Sequence, residues 1–372
     1  MIETTQKTFL NAAFIILGVY FAITGLIQAQ QFLMPLVVAG LLAMLMLPFS
    51  RMLEKWRVPR TVAGLICITL LLALAIGINV LVIKQVQNFS KSLPQMIESQ
   101  QPRIERLNNY LSEKTGLSPW KQKEQFMSIL EEKMGQIGSN ALILISNVQD
   151  FMMATLLVFV YTYFLMLYRE RFSGFVLLFI PEEKRSEAKE VIRNCSKIAQ
   201  KYLLGRLILI LFLALIYFAG FTAAGLKQAL FISLLVAVLS LIPYLGNFVG
   251  LFLAISIGLL SGFRTGQILE ILIIFGVAQL IESYVLEPYV VGPQVELNAV
   301  ISIISIVMGG VIWGVVGVVI ALPVVGIVKV ICDHVPALHP FAFLLGADRS
   351  STMDKLSAFK KKWARRPAHH LF

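Results

Sequence analysis

Charged residues are scarce in this chain, and their scarcity excludes an ordinary soluble fold. Of 372 residues only 14% are charged, whereas 58% are hydrophobic and the mean hydropathy is +0.80. Soluble domains carry about 25% charged residues, so this chain lacks the polar cover that a water-facing surface needs. The composition therefore predicts an all-α, polytopic integral membrane protein.

Cysteine and the sequence motifs of enzymes are equally sparse. Cys67, Cys195 and Cys332 lie far apart without the spacing of a metal or redox site, and we interpret them as buried apolar side chains. The chain has no HExxH and no GxSxG motif, and Gly220 to Gly225 is followed by Leu-Lys where a phosphate-binding loop needs Lys-Ser/Thr. We therefore predict no enzymatic activity, no metal, no cofactor and no ATP-driven step.

Long apolar runs dominate the rest of the sequence. A helix that crosses the hydrocarbon core needs about 20 mostly apolar residues, and nine runs approach that length. They are Phe9–Ile27, Phe32–Phe49, Val62–Ile83, Phe151–Tyr168, Leu203–Ala224, Ala229–Ile242, Phe248–Leu260, Ile268–Val285 and Ala299–Val330. The sixth and seventh are each about 20 Å long as helices, too short for a core of about 30 Å. We expect them to be two halves of one broken span, which gives about eight crossings. The alternative is a re-entrant hairpin, which requires a second hairpin in the ninth run and gives six.

The placement of lysine and arginine predicts the orientation. Basic residues are concentrated in the loop Arg51–Arg60, in the segment Arg169–Lys201 and in the C-terminal tail, which places all three in the cytoplasm. The net charge of +11 therefore indicates membrane topology and not nucleic acid. The predicted organisation is three N-terminal spans (1–83), an extracytoplasmic amphipathic helical segment (84–150), a fourth span (151–168), a cytoplasmic amphipathic segment (169–201), a transport core (202–334) and a basic cytoplasmic tail (335–372).

Ionisable residues inside the apolar C-terminal half are candidates for function. An ionisable side chain inside a bilayer costs several kcal/mol (about 2.5–3.5 on insertion scales), so it marks a functional site by default. Glu282 is the strongest candidate, because Gln279 lies on the same helical face and Ser283 is adjacent. These side chains can line a polar path or coordinate a cation, a path that we extend to Glu287 and Pro288. The alternative is that Glu282 lies near a helix end and is solvated or paired with a basic side chain.

Prolines and glycines predict interruptions in the same region. Interrupted spans offer free backbone groups, and transporters often bind substrate there. We predict broken-helix backbone at Pro243, Gly246, Asn247, Gly292, Pro293 and Pro323. A second set of small residues predicts close helix packing, because glycine lets two backbones approach; it comprises Gly309, Gly310, Gly314 and Gly317.

Several of these motifs follow one another in a familiar order. Tyr202-Leu203-Leu204-Gly205-Arg206, Ile242-Pro243-Tyr244-Leu245-Gly246, Gln279 with Glu282, Glu287-Pro288 and the glycines 309–317 together resemble the autoinducer-2 exporter family of PerM-like permeases. The chain departs from the family pattern at two places. Many relatives have a proline or another residue where this chain has Asn247, and relatives commonly have an asparagine shortly after the motif glutamate, where this chain has Ser283 and Tyr284.

The resemblance implies a secondary transporter of the bacterial cytoplasmic (inner) membrane. It implies export of a small polar solute such as the quorum-sensing signal, or exchange of a monovalent cation for protons, so that H⁺ or Na⁺ is the coupling ion. It also implies a homo-oligomer, with a pentamer as the family expectation. Two alternatives remain open at this stage, a passive oligomeric channel and a membrane scaffold without transport.

Overall fold

The fold is helical throughout the part of the chain that the computed structural model describes, which is residues 13–14, 17–18, 20–115, 148–226, 228–242, 245–291 and 297–346. The helices are α1 (Gln30–Lys55), α2 (Arg60–Thr115), α3 (Val148–Leu167), α4 (Arg169–Leu178), α5 (Arg185–Ala223), α6 (Ala229–Leu239), α7 (Leu245–Leu260), α8 (Thr265–Ile281), α9 (Ala299–His334) and α10 (His339–Leu345). Residues 20–28 are also helical, a π-helical segment (Glu282–Val291) continues α8, and 3-10 turns cover Glu182–Lys184 and Pro336–Leu338.

The helices have the lengths and composition of membrane spans. In the described ranges, five stretches are long and apolar enough to cross a bilayer: Gln30–Lys55, Arg60–Phe89, Glu182–Ala223, Thr265–Leu286 and Ala299–His334. Shorter apolar helices accompany them. Helices suit this environment because each backbone N–H and C=O finds its partner within the segment, where no water is available. The predicted all-α polytopic membrane fold is confirmed.

Two helices continue well beyond the predicted spans. α2 has 56 residues, a length of about 84 Å at 1.5 Å per residue, so the third span and the start of the predicted extracytoplasmic segment form one rod. The remainder of that segment, residues 116–147, lies outside the described residues. α5 similarly runs without a break from the predicted cytoplasmic segment into the fifth span.

The chain divides into two compact units, and the larger comprises Pro35–Leu167 and Gly205–Val290. Small side chains hold its N-terminal helices together: Ala43, Ala63 and Cys67 are buried in one apolar cluster with Met166. Cys67, like the other two cysteines, is a free and buried thiol, which confirms the interpretation of the cysteines as apolar core residues.

The chain doubles back between α6 and α7 in this larger unit. A Cβ atom on Gly246 would overlap the carbonyl oxygen of Leu239, and one on Gly250 would lie 2.9 Å from Val236 Cγ1. In a straight helix Val236 and Gly250 would be about 21 Å apart, so the two helices pack as an antiparallel hairpin. Glycine is required at position 246 because any side chain would force the two backbones apart.

Both ends of this hairpin lie at the same end of the unit. Gln267 in the first turn of α8 donates from Nε2 to the carbonyl oxygen of Ala224, 3.5 Å away, just after α5. Gln228, immediately before α6, donates from Nε2 to Ser92 Oγ at 2.5 Å. Ser92 belongs to the part of α2 that projects beyond the third span. The two free ends of the hairpin therefore lie on the side of the membrane to which α2 projects.

The smaller unit, Met1–Met34, Tyr168–Leu204 and Val291–Phe372, contains a second hairpin within α9. Trp313 (φ −134°, ψ 23°) and Gly314 (φ 60°, ψ −142°) are not helical, and the backbones of Gly309 and Gly317 touch on either side of them. Eight residues apart on one straight helix, these glycines would be about 12 Å apart. α9 therefore consists of two antiparallel arms joined at Trp313-Gly314.

The base of this second hairpin is closed by the end of α10. The backbone N–H of Asn298 donates to the carbonyl oxygen of Leu345 at 2.9 Å, and Leu297 pairs with Gly346 in an isolated antiparallel bridge. The sixth and seventh apolar runs thus form a hairpin, and the ninth run forms a second one, as in the re-entrant alternative. The expectation that the sixth and seventh runs lie end to end as one broken span is therefore wrong.

Candidate functional site

A polar network joins the first hairpin to the end of α8. Asn247 donates from Nδ2 to Gln279 Oε1 at 2.6 Å and to Glu282 Oε2 at 3.0 Å. Gln279 in turn donates from Nε2 to Ser283 Oγ at 3.1 Å. The structure therefore brings together three of the five predicted path residues with Asn247, which is 35 residues away from Glu282 in the sequence.

Three local features position these groups. Asn247 lies in the first turn of α7, just after the hairpin turn, and its side chain reaches α8 at Gln279. Gln279 lies in the last turn of α8, and Glu282 is the first residue of the π-helical segment. A π-helix offsets side chains from the regular α-helical spacing, and such segments occur frequently at functional sites.

The network runs from a buried carboxylate to the exterior of the chain. Glu282 is only 8% exposed, whereas Gln279 and Ser283 are exposed. A hydrogen bond to a charged group contributes about 1.5–3 kcal/mol, comparable to the insertion cost of an ionisable side chain. The bond from Asn247 can therefore offset much of the cost of keeping a carboxylate at this position.

Tyr217 is a member of this site that sequence reasoning missed. It is fully buried in α5, and its ring packs against Phe275, one turn before Gln279 on α8, with ring centroids 4.8 Å apart. Among the described residues, neither the Tyr217 hydroxyl nor Asn247 Oδ1 has a hydrogen-bond partner, although both atoms are buried. A tyrosine within an apolar span was the available signal, because its hydroxyl group needs a partner when buried.

The other predicted path and backbone residues are placed only in part. The backbone of Glu287 and Pro288 belongs to the π-helical segment that begins at Glu282. Pro243, Gly292 and Pro293 lie outside the described residues.

The prediction for Pro323 requires a correction. The chain is helical through Pro323, which is fully buried in the second arm of α9, and the break falls ten residues earlier at Trp313-Gly314. A proline removes one hydrogen bond, whereas the left-handed φ of Gly314 reverses the chain direction.

The four glycines of α9 have two different roles. Gly309 and Gly317 are in backbone contact across the hairpin, and a Cβ atom on Gly310 would lie 3.1 Å from Val318 Cγ2. Gly314 instead forms the turn, and a Cβ atom there would meet open space.

Comparison with known proteins identifies the family. A family model described as AI-2E family transporter matches residues 9–337. This chain belongs to the AI-2E transporter family. "Putative transport protein YueF" of Bacillus subtilis is 26% identical over 309 residues, which are 79% of this chain and 82% of that protein.

Two further AI-2E relatives are similar over most of their length. YrrI of Bacillus subtilis, named in the same way as YueF, is 24% identical over 81% of this chain and 85% of its own. The "AI-2 transport protein TqsA" of Escherichia coli is 22% identical over 86% of this chain and 91% of its own. The family and the apolar helices together make this chain a multi-pass membrane protein with a function in transport.

Proposed function

We propose that this AI-2E family member is a secondary-active transporter in the cytoplasmic membrane of a bacterium, with the Glu282 network as its solute or ion path. The leading form of the proposal is exchange of a monovalent cation, such as Na⁺, for protons. The observation that carries it is a buried carboxylate in a hydrogen-bonded network that reaches the exterior of the chain.

The chemistry of the site suits a small cation or a proton. Glu282 supplies a negative charge, and Asn247 Oδ1 and the Tyr217 hydroxyl are buried oxygen atoms without partners in the described chain. Transporters coordinate Na⁺ or H⁺ with oxygen atoms at interrupted helices near the bilayer midplane. We propose that the bound cation also takes these two oxygen atoms as ligands, which would give a reason for their burial.

The exposed edge of the network supports a further part of the proposal. Gln279 and Ser283 present polar groups on the outside of a helix that is apolar enough to span a membrane. Polar groups at this depth face water or protein and not lipid. We propose that this edge meets an aqueous path or a neighbouring copy in a homo-oligomer, for which the family expectation is a pentamer.

The two hairpins support a six-crossing topology with both termini in the cytoplasm. If α2 projects outside beyond the third span, the contact between Gln228 and Ser92 puts the opening of the first hairpin outside as well. The stretch Thr265–Leu286 crosses the membrane once between the two hairpins, so the base of the second hairpin lies on the cytoplasmic side. This side agrees with the cytoplasmic placement of the basic tail.

Export of a small polar signal is the second candidate. It is favoured by the relative TqsA, which is named an AI-2 transport protein. Amide, hydroxyl and carboxylate groups can bind a hydroxylated solute as well as a cation.

The test is ion-coupled proton movement in proteoliposomes that contain purified protein, under imposed sodium, lithium or potassium gradients. We expect a cation-dependent pH change in the wild type that is lost in Glu282→Gln, since the amide cannot exchange a proton. Glu270→Gln is the matched control, because Glu270 is an exposed acid on the same helix, and it should retain wild-type activity.

Full activity in Glu282→Gln would refute the assignment of this path. If neither protein moves protons although both are folded and inserted, cation exchange is excluded, and uptake of a labelled autoinducer-2-like solute becomes the deciding assay. Flux that does not saturate with solute concentration would indicate a pore, and no flux of any kind would favour the scaffold alternative.

A further inference from the structure

An exposed apolar stripe lies on α4, outside the stretches that are long and apolar enough to span a membrane. Phe172, Phe175 and Val176 occupy positions i, i+3 and i+4, and Phe179 follows at i+7, so the four side chains share one helical face. They are 52%, 59%, 47% and 76% exposed in that order, and no residue of α4 is buried. The rings of Phe175 and Phe179 pack edge to face with centroids 5.1 Å apart, so these two side chains form one aromatic surface.

The residues before the stripe have the character of a membrane interface. Tyr168 separates α3 from α4 with non-helical dihedral angles (φ −97°, ψ 16°), so α4 is a separate helix and not a continuation of α3. The guanidinium group of Arg171 lies 5.5 Å from the centre of the Tyr168 ring, and Arg171 is exposed. Tyrosine is enriched at the headgroup level of bilayers, and arginine there pairs with lipid phosphate.

We propose that α4 is an interfacial helix that places Phe172, Phe175, Val176 and Phe179 in the headgroup boundary of the membrane, with Arg171 bound to anionic phospholipid. A helix with an apolar stripe and basic residues in its first turn binds in this way by burial of apolar area and by attraction to anionic lipid. Ten residues are about 15 Å of helix, which is too short to cross the bilayer.

Two features favour lipid over the other possible occupants of this face. The stripe begins five residues after the last residue of α3, so the chain keeps it within reach of the membrane surface. The adjacent exposed arginine complements anionic headgroups. Large aromatic side chains left in water would be unfavourable, so some partner must cover them.

The test uses the full chain in nanodiscs with a fluorophore on Phe175→Cys. The native cysteines are buried, so the label should react at the introduced position. Spin-labelled lipid with the quencher near the headgroup should quench this label at least fivefold more than a label on Lys189→Cys, an exposed position in α5. Aqueous iodide should show the reverse order. Phe172→Cys provides a second position if Phe175→Cys does not fold.

The lipid dependence tests the anionic part of the proposal. Replacing phosphatidylglycerol by phosphatidylcholine should reduce lipid quenching at least twofold, and Arg171→Gln should remove that difference. Equal access of iodide to both labels would show a water-exposed helix and overturn the proposal. Protection of the Phe175→Cys label from both quenchers would show that protein covers the stripe, and equal quenching in both lipids would exclude anionic recognition.

Discussion

Asn247 provides the sharpest test of the candidate site, because one side-chain amide holds the network together. Its Nδ2 atom donates to Gln279 at 2.6 Å and to Glu282 at 3.0 Å. Asn247→Ala removes both donors and leaves the buried carboxylate without this hydrogen bond. The change also removes Oδ1, one of the oxygen atoms that we propose as a cation ligand.

The magnitude follows from the loss of Oδ1, which we propose as a ligand of the cation, because a donor to the carboxylate competes with the cation and its loss does not weaken cation binding. We take the contact of that oxygen with the cation as comparable to a hydrogen bond to a charged group, which contributes about 1.5–3 kcal/mol. Since about 1.4 kcal/mol corresponds to a tenfold change in affinity, the half-saturating cation concentration should rise about 10- to 150-fold. If Glu282 is the only charged group that Asn247 serves, Asn247→Ala combined with Glu282→Gln should be no worse than Glu282→Gln alone.

The assay is the cation-dependent pH change in proteoliposomes, measured over a range of cation concentrations. Ser256→Ala is the matched control, because Ser256 lies on the same helix and its hydroxyl donates to the carbonyl oxygen of Phe252 at 2.8 Å, outside the network. It should change the half-saturating concentration less than twofold. A change below threefold in Asn247→Ala, in protein that remains folded and monodisperse, would refute the role of Asn247 as a cation ligand.

Three further predictions address the tyrosine, the second hairpin and the topology. Tyr217→Phe removes a buried hydroxyl group that has no partner in the described chain, so the protein should unfold at the same or a higher temperature. Cation exchange by this variant should be slower than in the wild type. An unchanged rate of cation exchange would exclude the hydroxyl group from the site. Gly317→Ala should lower the free energy of unfolding by about 1–3 kcal/mol or more, because its Cβ atom would overlap the carbonyl oxygen of Gly309. Gly276→Ala is the control: its Cβ atom would meet nothing within 4 Å, so this change should not destabilise the protein. Equal stability of the two variants in denaturant titrations would contradict the hairpin. Arg264→Cys should react with a membrane-impermeant maleimide added outside intact cells, and protection from it would place this loop in the cytoplasm.

Part of the candidate site follows from helical periodicity alone. Gln279 and Glu282 are three residues apart in one apolar run, so any helix there places them on one face, and their polarity at that depth indicates function. Asn247 was selected for its place in a backbone break. Its contribution in the structure is a side-chain donor to residues more than 30 positions away, and no local pattern contains that contact.

The interruptions show the same division. Glycine and proline near 243–247 marked the place where the first segment breaks, but the direction of the chain after the break depends on the contact of Gly246 with Leu239. In the second segment the proline was the wrong marker: Pro323 lies inside a helix, and the turn falls at Trp313-Gly314. Trp313 donates from its indole N–H to the carbonyl oxygen of Leu26 at 3.1 Å, a long-range contact that holds the turn.

Hydropathy, run length and the order of short motifs are local properties, so they were enough to predict a helical membrane protein of the AI-2E type. The sequence also identified the ionisable residue, since a carboxylate among apolar residues is conspicuous without any structure. The tertiary contacts were needed to show that two apolar segments fold back, that Asn247 hydrogen-bonds the carboxylate and that Tyr217 is buried against the helix that carries it. These features depend on which backbones can approach closely and on which buried polar atoms find partners, and both are set by contacts between segments far apart in the chain.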